Sequence, residues 1–301
     1  MKKKLIFYTV ALTAGLLTAC SSDDDVQESE TPIRHISVEV NEQPMTSADD
    51  EAGARSLSTR SAITTTETFS AFKMCGVYGD GTSNYTVSKS DNTWTVSPNT
   101  WPSDAPNATS IPFYAFTDGT FYANSGTPYI SFTMAENAST QHDLLVAKNT
   151  VSYNDHQGKV PLTFDHACAA VAFNVKITST LKSGKLGNSS LTVNSIVLRN
   201  VQNRGRYNFG TSSWSDLDGS AYYTLTSGNM SVDTDFVPLS SNYLFVIPQS
   251  RDANGTTGTY LEINYTFSGQ TKTSATIPIA VNWAAGSKYT IDIKLGTGLI
   301  Q

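Results

Sequence analysis

Apolar and polar residues alternate strictly along Ile36-Ser37-Val38-Glu39-Val40, which is the signature of a half-buried β-strand. From Thr64 onward the same two-residue period returns in short runs. Candidate strands cover 69–78, 85–88, 93–96, 111–116, 130–134, 144–147, 160–164, 169–177, 191–200, 222–225, 243–247, 260–267, 273–279 and 289–295. Between them lie Gly79-Asp80-Gly81, Asp118-Gly119, Asn254-Gly255 and Ser268-Gly269, residues that accept the positive φ of tight turns. No segment carries a helical apolar stripe longer than a turn or two, so the pattern predicts an all-β protein. The strands divide naturally into two tandem β-sandwich domains, over 61–159 and 160–301, with the divide near Val160-Pro161 to Asp165.

The N-terminus follows a different pattern. Met1 to Lys4 are basic at three of four positions, Leu5 to Leu17 are largely apolar, and Thr18-Ala19 are small, as in a cleaved secretory signal spanning 1–19. The apolar stretch is too short for a membrane span, which takes about 20 residues to cross about 30 Å of hydrocarbon. Leu17-Thr18-Ala19-Cys20 resembles the lipobox of bacterial lipoproteins, which implies that Cys20 is acylated and becomes the first residue of the mature chain. Two or three acyl chains hold a protein on a bilayer where one would not. The run Ser21-Ser22-Asp23-Asp24-Asp25 resembles a signal for export to the outer face of the outer membrane. Residues 20–60 are otherwise acidic and rich in Ser, Thr and Glu, the composition of a tether; Ile36–Val40 interrupts it. Arg55 and Arg60 follow in a Ser, Ala and Thr context open to a trypsin-like protease.

Charge and cysteine usage narrow the function classes. The formal net charge is −6 and only 15% of residues are charged; the basic ones do not cluster, which argues against a nucleic-acid partner. Cys75 and Cys168 each sit in an apolar run. An oxidising compartment permits a bridge between them, although separate small core residues are the commoner outcome. His35, His142-Asp143, Asp155-His156 and Asp165-His166 lack the spacing of a zinc protease. On a strand, adjacent Asp and His point to opposite faces. Glu262 and Asp292 could serve as a glycosidase pair, but no sequence feature selects them, and neither Asp23–Asp25 nor Asp216-Leu217-Asp218 has EF-hand spacing. No enzymatic activity, cofactor or metal is expected. Phe113, Tyr114, Phe116, Tyr260, Tyr265, Trp283 and Tyr289 suit sheet packing; the alternative is a platform for stacking sugars.

Several motifs occur together in order: Arg60-Ser61, Phe69 to Tyr78, Trp94, Trp101-Pro102, Ile111-Pro112-Phe113-Tyr114-Ala115-Phe116, His142-Asp143-Leu144-Leu145-Val146-Ala147, Val160-Pro161-Leu162-Thr163-Phe164-Asp165-His166-Ala167, Ala170-Val171-Ala172-Phe173-Asn174-Val175, Trp283, and Gly286-Ser287-Lys288-Tyr289-Thr290-Ile291-Asp292-Ile293. From about Arg60 to Leu295 the chain is similar to the fimbrillin-like lipoproteins of Bacteroides-type bacteria. That resemblance implies sandwiches of transthyretin-like topology in a structural or adhesive fimbrial subunit, located at the cell outer membrane and in the fimbrium. It also implies assembly by strand addition with other fimbrial subunits. Ile36, Val38 and Val40 would form the displaced strand, with Arg55 or Arg60 as the cut. Lipidated Cys20 would hold the protein to the outer membrane, and a host or bacterial surface ligand is a further partner class. Six residues follow Leu295, about 20 Å of extended chain, so an anchor, tip or stand-alone role is expected in preference to a shaft. The alternative is a glycan-binding surface lipoprotein.

Overall fold

Period-two patterning becomes strands that hide one face. Along Lys159–His166, the side chains of Val160, Leu162, Phe164 and His166 are buried while Lys159, Thr163 and Asp165 face solvent. The computed structural model describes residues 33–47, 69–123, 127–253 and 258–298.

The first strands are β1 (Ser37–Glu42), β2 (Thr46–Ser47), β3 (Ala71–Tyr78), β4 (Gly81–Ser90), β5 (Thr93–Ser97), β6 (Ile111–Phe116), β7 (Thr120–Tyr122), β8 (Tyr129–Thr133), β9 (Leu145–Val151) and β10 (Lys159–His166). They are followed by β11 (Ala169–Ile177), β12 (Leu191–Val201), β13 (Arg204–Asn208), β14 (Ser213–Asp218), β15 (Ala221–Val232), β16 (Val237–Pro238) and β17 (Leu244–Val246). The last are β18 (Ser250–Arg251), β19 (Tyr260–Phe267), β20 (Gln270–Thr273), β21 (Ile277–Pro278), β22 (Val281–Asn282) and β23 (Ser287–Leu295). The single strand expected over 273–279 is instead broken into the end of β20 and the separate β21.

A seven-stranded sheet runs β1-β10-β9-β6-β3-β4-β5. Its two end strands, β1 and β5, also approach each other, so the sheet curls until its ends face. A second sheet runs β16-β11-β23-β2, a third β15-β12-β19-β20, and a fourth β14-β13-β8-β7. Strand β11 departs from alternation because it is covered on both faces. Every residue from Ala169 to Val175 is buried, and all but Asn174 are apolar, the near-continuous apolar run expected of a doubly covered strand.

Arg34–Gln301 form one compact unit, within which the buried side chains gather into two large clusters. One is built from Ile36, Phe69, Phe72, Met74, Phe113, Val160, Leu162 and Phe164, among others. Its centre is aromatic, with the Phe164 ring 5.0 Å from both Phe69 and Phe72 in edge-on contact. The other draws on Phe116, Ile130, Phe132, Leu144, Phe173, Leu198, Tyr223, Tyr265 and Leu295.

Cys75 and Cys168 are free and buried, as separate core residues. Burial pushes the Cys75 thiol up to about 11; burial and then the neighbouring Asp143 charge raise Cys168 as well. Because the thiolate is the reactive form, neither should be alkylated by iodoacetamide in the native protein at about pH 8, and both should react once the chain is unfolded. Mass spectrometry of the two peptides checks this, and fast native labelling of either would contradict it.

Candidate functional site

The segment Arg34–Ser47 lies along the body of the protein as an extended clamp. Strand β1 runs parallel to β10, with Ser37 opposite Lys159, Val38 opposite Val160, Val40 opposite Leu162 and Glu42 opposite Phe164. Ser37 donates its N–H to the Gly158 carbonyl and Gln43 to the Phe164 carbonyl. Gly158 has φ of +79°, and a Cβ there would fall 2.1 Å from the His35 carbonyl oxygen. A side chain at 158 would therefore block the close backbone approach by which β1 enters. On the inward face Ile36 is buried, and Val38 and Val40 are half-buried against the first core. Ser37, Glu39 and Asn41 face outward. Beyond Glu42, β2 pairs in parallel with the start of β23, Thr46 opposite Ser287 and Ser47 opposite Lys288.

Arg34 fastens the other end. Its guanidinium donates to the carbonyls of Ala105, Pro102 and Ser103 and to Asn107 Oδ1, at 2.6–2.8 Å, and lies 5.8 Å from the Tyr153 ring centroid. Trp101 returns a backbone N–H to the Arg34 carbonyl at 2.7 Å. Truncation by Arg34→Ala removes charge-assisted bonds that are only partly shielded from water, so we expect a loss of about 1–2 kcal/mol. Faster hydrogen exchange at residues 36–38, with β23 unchanged, is the check.

Where β1 ends, its inward face changes chemistry. Glu42 Oε1 lies 3.2 Å from His166 Nε2, and the other ring nitrogen, Nδ1, is bonded to Asp143 Oδ2. The side chains of all three are almost wholly removed from water, at 8%, 3% and 0% exposure for Glu42, His166 and Asp143. One oxygen of each carboxylate, Glu42 Oε2 and Asp143 Oδ1, is buried without a hydrogen-bond partner. Burial is the main reason that both carboxyl groups are held above their ordinary values, with His166 pulling the other way. Cys168 also hydrogen-bonds Asp143. Its thiol is free and buried, and its raised pKa suits a core residue.

This cluster was not foreseen from sequence. The expectation that neighbours in Asp165-His166 and His142-Asp143 point apart holds, since Asp165 and His142 are exposed while His166 and Asp143 are buried. What brings Asp143 and His166 together is the pairing of β9 with β10. A usable signal was present in the alternation itself. Extending Ile36-x-Val38-x-Val40 by one step gives Glu42, and extending Val160-x-Leu162-x-Phe164 gives His166.

The remaining candidate residues do not converge. Glu262 on β19 is bound to Arg199 at 2.5 Å, and Asp292 on β23 accepts from Asn174 at 2.8 Å. They lie in different sheets, each carboxylate taken up by its own partner. Asp216 and Asp218 pair with Arg206 and Arg204, and among the described residues no acidic, His or Cys group has the makings of a metal site. Phe113, Phe116, Tyr265 and Trp283 are buried, while Trp94 and Trp214 are half-buried. They pack the sheets. Tyr122 and Tyr222 are exposed, the first stacked on Tyr129 and the second against Arg199. Cys20, Arg55, Arg60 and Asp23–Asp25 lie outside the described residues.

Residues 47–301 match the profile of a family described as fimbrillin-like; β1 precedes the matched span. No curated protein matches the sequence. Among solved structures, the chain is similar to a candidate cell adhesion protein from Parabacteroides distasonis at 9% identity and a TM-score of 0.51, over 88% of this chain and 90% of that one. It is also similar to a fimbrial protein from Bacteroides vulgatus at 17% identity and a TM-score of 0.48, over 75% and 88%. At 9% identity the first likeness is one of fold alone.

Proposed function

The chain belongs to the fimbrillin-like family, which is structural or adhesive and not enzymatic, and from that premise we propose that it is a surface lipoprotein whose N-terminal strand can be exchanged for a strand of a neighbouring fimbrial subunit. In this reading the body consists of two tandem sandwiches of transthyretin-like topology, and the protein serves as an anchor, tip or accessory subunit. Acylated Cys20 holds it to the outer membrane, at the cell surface, through the tether at 20–60. Cleavage after Arg55 or Arg60 turns that fixed tether into a removable one.

The observation that carries this reading is the placement of β1. It is the first strand among the described residues, it lies at an end of its sheet, and it fills the space between β10 and β5 with an apolar inward face. A cut anywhere in 48–68 would leave it held by non-covalent contacts alone. Its departure would expose both the unpaired backbone edge of β10 and the apolar surface now covered by Ile36, Val38 and Val40. An extended segment can satisfy both at once.

The test is the N-terminus of the protein recovered from intact cells, with and without labelled palmitate. Lipid on Cys20 supports the anchored form, and a chain beginning at Ser56 or Ser61 supports the processed one. A protein with neither lipid nor cut would overturn the proposal.

A further inference from the structure

The seated strand records what the groove demands of any strand that replaces it. Its inward positions read Ile36, Val38, Val40 and then Glu42. The first three meet an apolar wall built from Val160, Leu162, Phe164 and their neighbours. The fourth meets His166, whose side chain is 3% exposed and whose Nδ1 is already committed to Asp143. We infer that the groove selects an incoming strand by the inward pattern apolar-x-apolar-x-apolar-x-carboxylate, with the final Glu or Asp received by His166 Nε2. The partner is an extended segment of a neighbouring protein chain that carries this pattern.

Main-chain pairing alone does not choose among strands. The backbone edge of β10 offers Gly158 and Phe164 carbonyls to the N–H groups of positions 37 and 43, and every residue but proline supplies such a donor. Backbone bonds give affinity; alternate side chains give specificity. Three apolar positions are common to many strands, so the fourth discriminates. An apolar residue at position 42 would leave a buried ring nitrogen of His166 without a partner, and an unmade buried hydrogen bond costs more than a made one contributes. A one-residue slip of the incoming strand would turn its apolar residues to solvent and its polar ones to the core. The carboxylate therefore also fixes the register, because it can reach His166 from one position only.

This inference rests on the strand-replacement reading and is tested so that the two can fail separately. The full chain is cut in the segment after Ser47, and labelled peptides spanning residues 34–47 are allowed to exchange into it. The peptides are the native sequence, Glu42→Gln and Glu42→Leu. Exchange is followed by fluorescence anisotropy. The native peptide is expected to seat, Glu42→Gln, which keeps an oxygen for His166, to seat within several-fold of it, and Glu42→Leu to seat about tenfold or more weakly. A Glu42→Leu peptide that seats as well as the native one overturns the selectivity and leaves strand replacement standing. Failure of every peptide, the native one included, overturns strand replacement and this inference with it. Because only the peptide varies, no outcome depends on a variant protein folding.

Discussion

Replacing Ile36 and Val38 together by aspartate is expected to unseat β1 while the second core stays folded. Ile36 is 2% exposed and Val38 is half-buried against the same core. Losing a well-buried aliphatic side chain costs about 1.5–3 kcal/mol, and holding an unpaired carboxylate in its place would cost several kcal/mol more. The combined penalty exceeds what the backbone bonds of one edge strand return, so the seated form should fall by about a thousandfold or more relative to the released one. Hydrogen exchange should then be fast at residues 37–42 and along the newly opened edge of β10. Amides of β12 and β19 should stay protected. The matched control is Ser37→Asp with Asn41→Asp, which alters the outward face of the same strand and should change stability by less than about 0.5 kcal/mol. Equal effects from the two double variants would show that β1 is not held by its inward face.

The contrast between faces also explains what could be seen in the sequence. Alternation in 36–40 and 160–164 marked both strands, and the pairing of β1 with β10 then lines up the two apolar faces. The run 169–177 was visible for the opposite reason, since a strand covered on both sides loses its polar positions. The hairpin of β13 and β14 was not visible. Its outward residues carry cross-strand ion pairs, Arg204 with Asp218 and Arg206 with Asp216, and its inward positions begin with Gly205. That glycine reads as a turn residue, yet it lies inside a strand because a Cβ there would fall 2.7 Å from Leu217 and 3.2 Å from Trp214. Strand β15 extends well past the predicted 222–225 because Met230, Ser231 and Val232 pair with Val193, Thr192 and Leu191 of β12 beyond a register shift, while the intervening Ser227-Gly228-Asn229 gives no apolar signal. Glu42, Asp143 and His166 were hidden by a more general limit. Each is the polar end of an otherwise apolar pattern, and only tertiary pairing brings the three ends together.

Removing Asp143 is the second substitution expected to have a large effect, and it probes that meeting point directly. Asp143 is fully buried, bonded to His166 and to Cys168. Asp143→Ala strips His166 Nδ1 of its partner in a site closed to water, and breaking a buried pair from one side costs about 3–5 kcal/mol. Asp143→Asn keeps an acceptor in place and should cost less, but it abolishes titration. Both Asp143 and Glu42 are held above their ordinary values of 3.8 and 4.5, chiefly by burial. Each therefore binds its proton more tightly in the folded chain than in the unfolded one. The stability gained from that proton is complete below the ordinary values and is lost as pH rises through the raised ones. Wild-type protein should accordingly lose stability as pH rises above the ordinary carboxylate range, and β1 should loosen with it, since Glu42 leaves the cluster when the strand departs. Urea midpoints measured across that rise should fall more steeply for wild type than for Asp143→Asn or Glu42→Gln, and most shallowly for the two changes combined. If the three variants retained the full wild-type slope, the buried carboxylates would not be its source. A slope that disappears only with Glu42→Gln would assign the proton to the strand, and one that disappears only with Asp143→Asn would assign it to the wall that receives the strand.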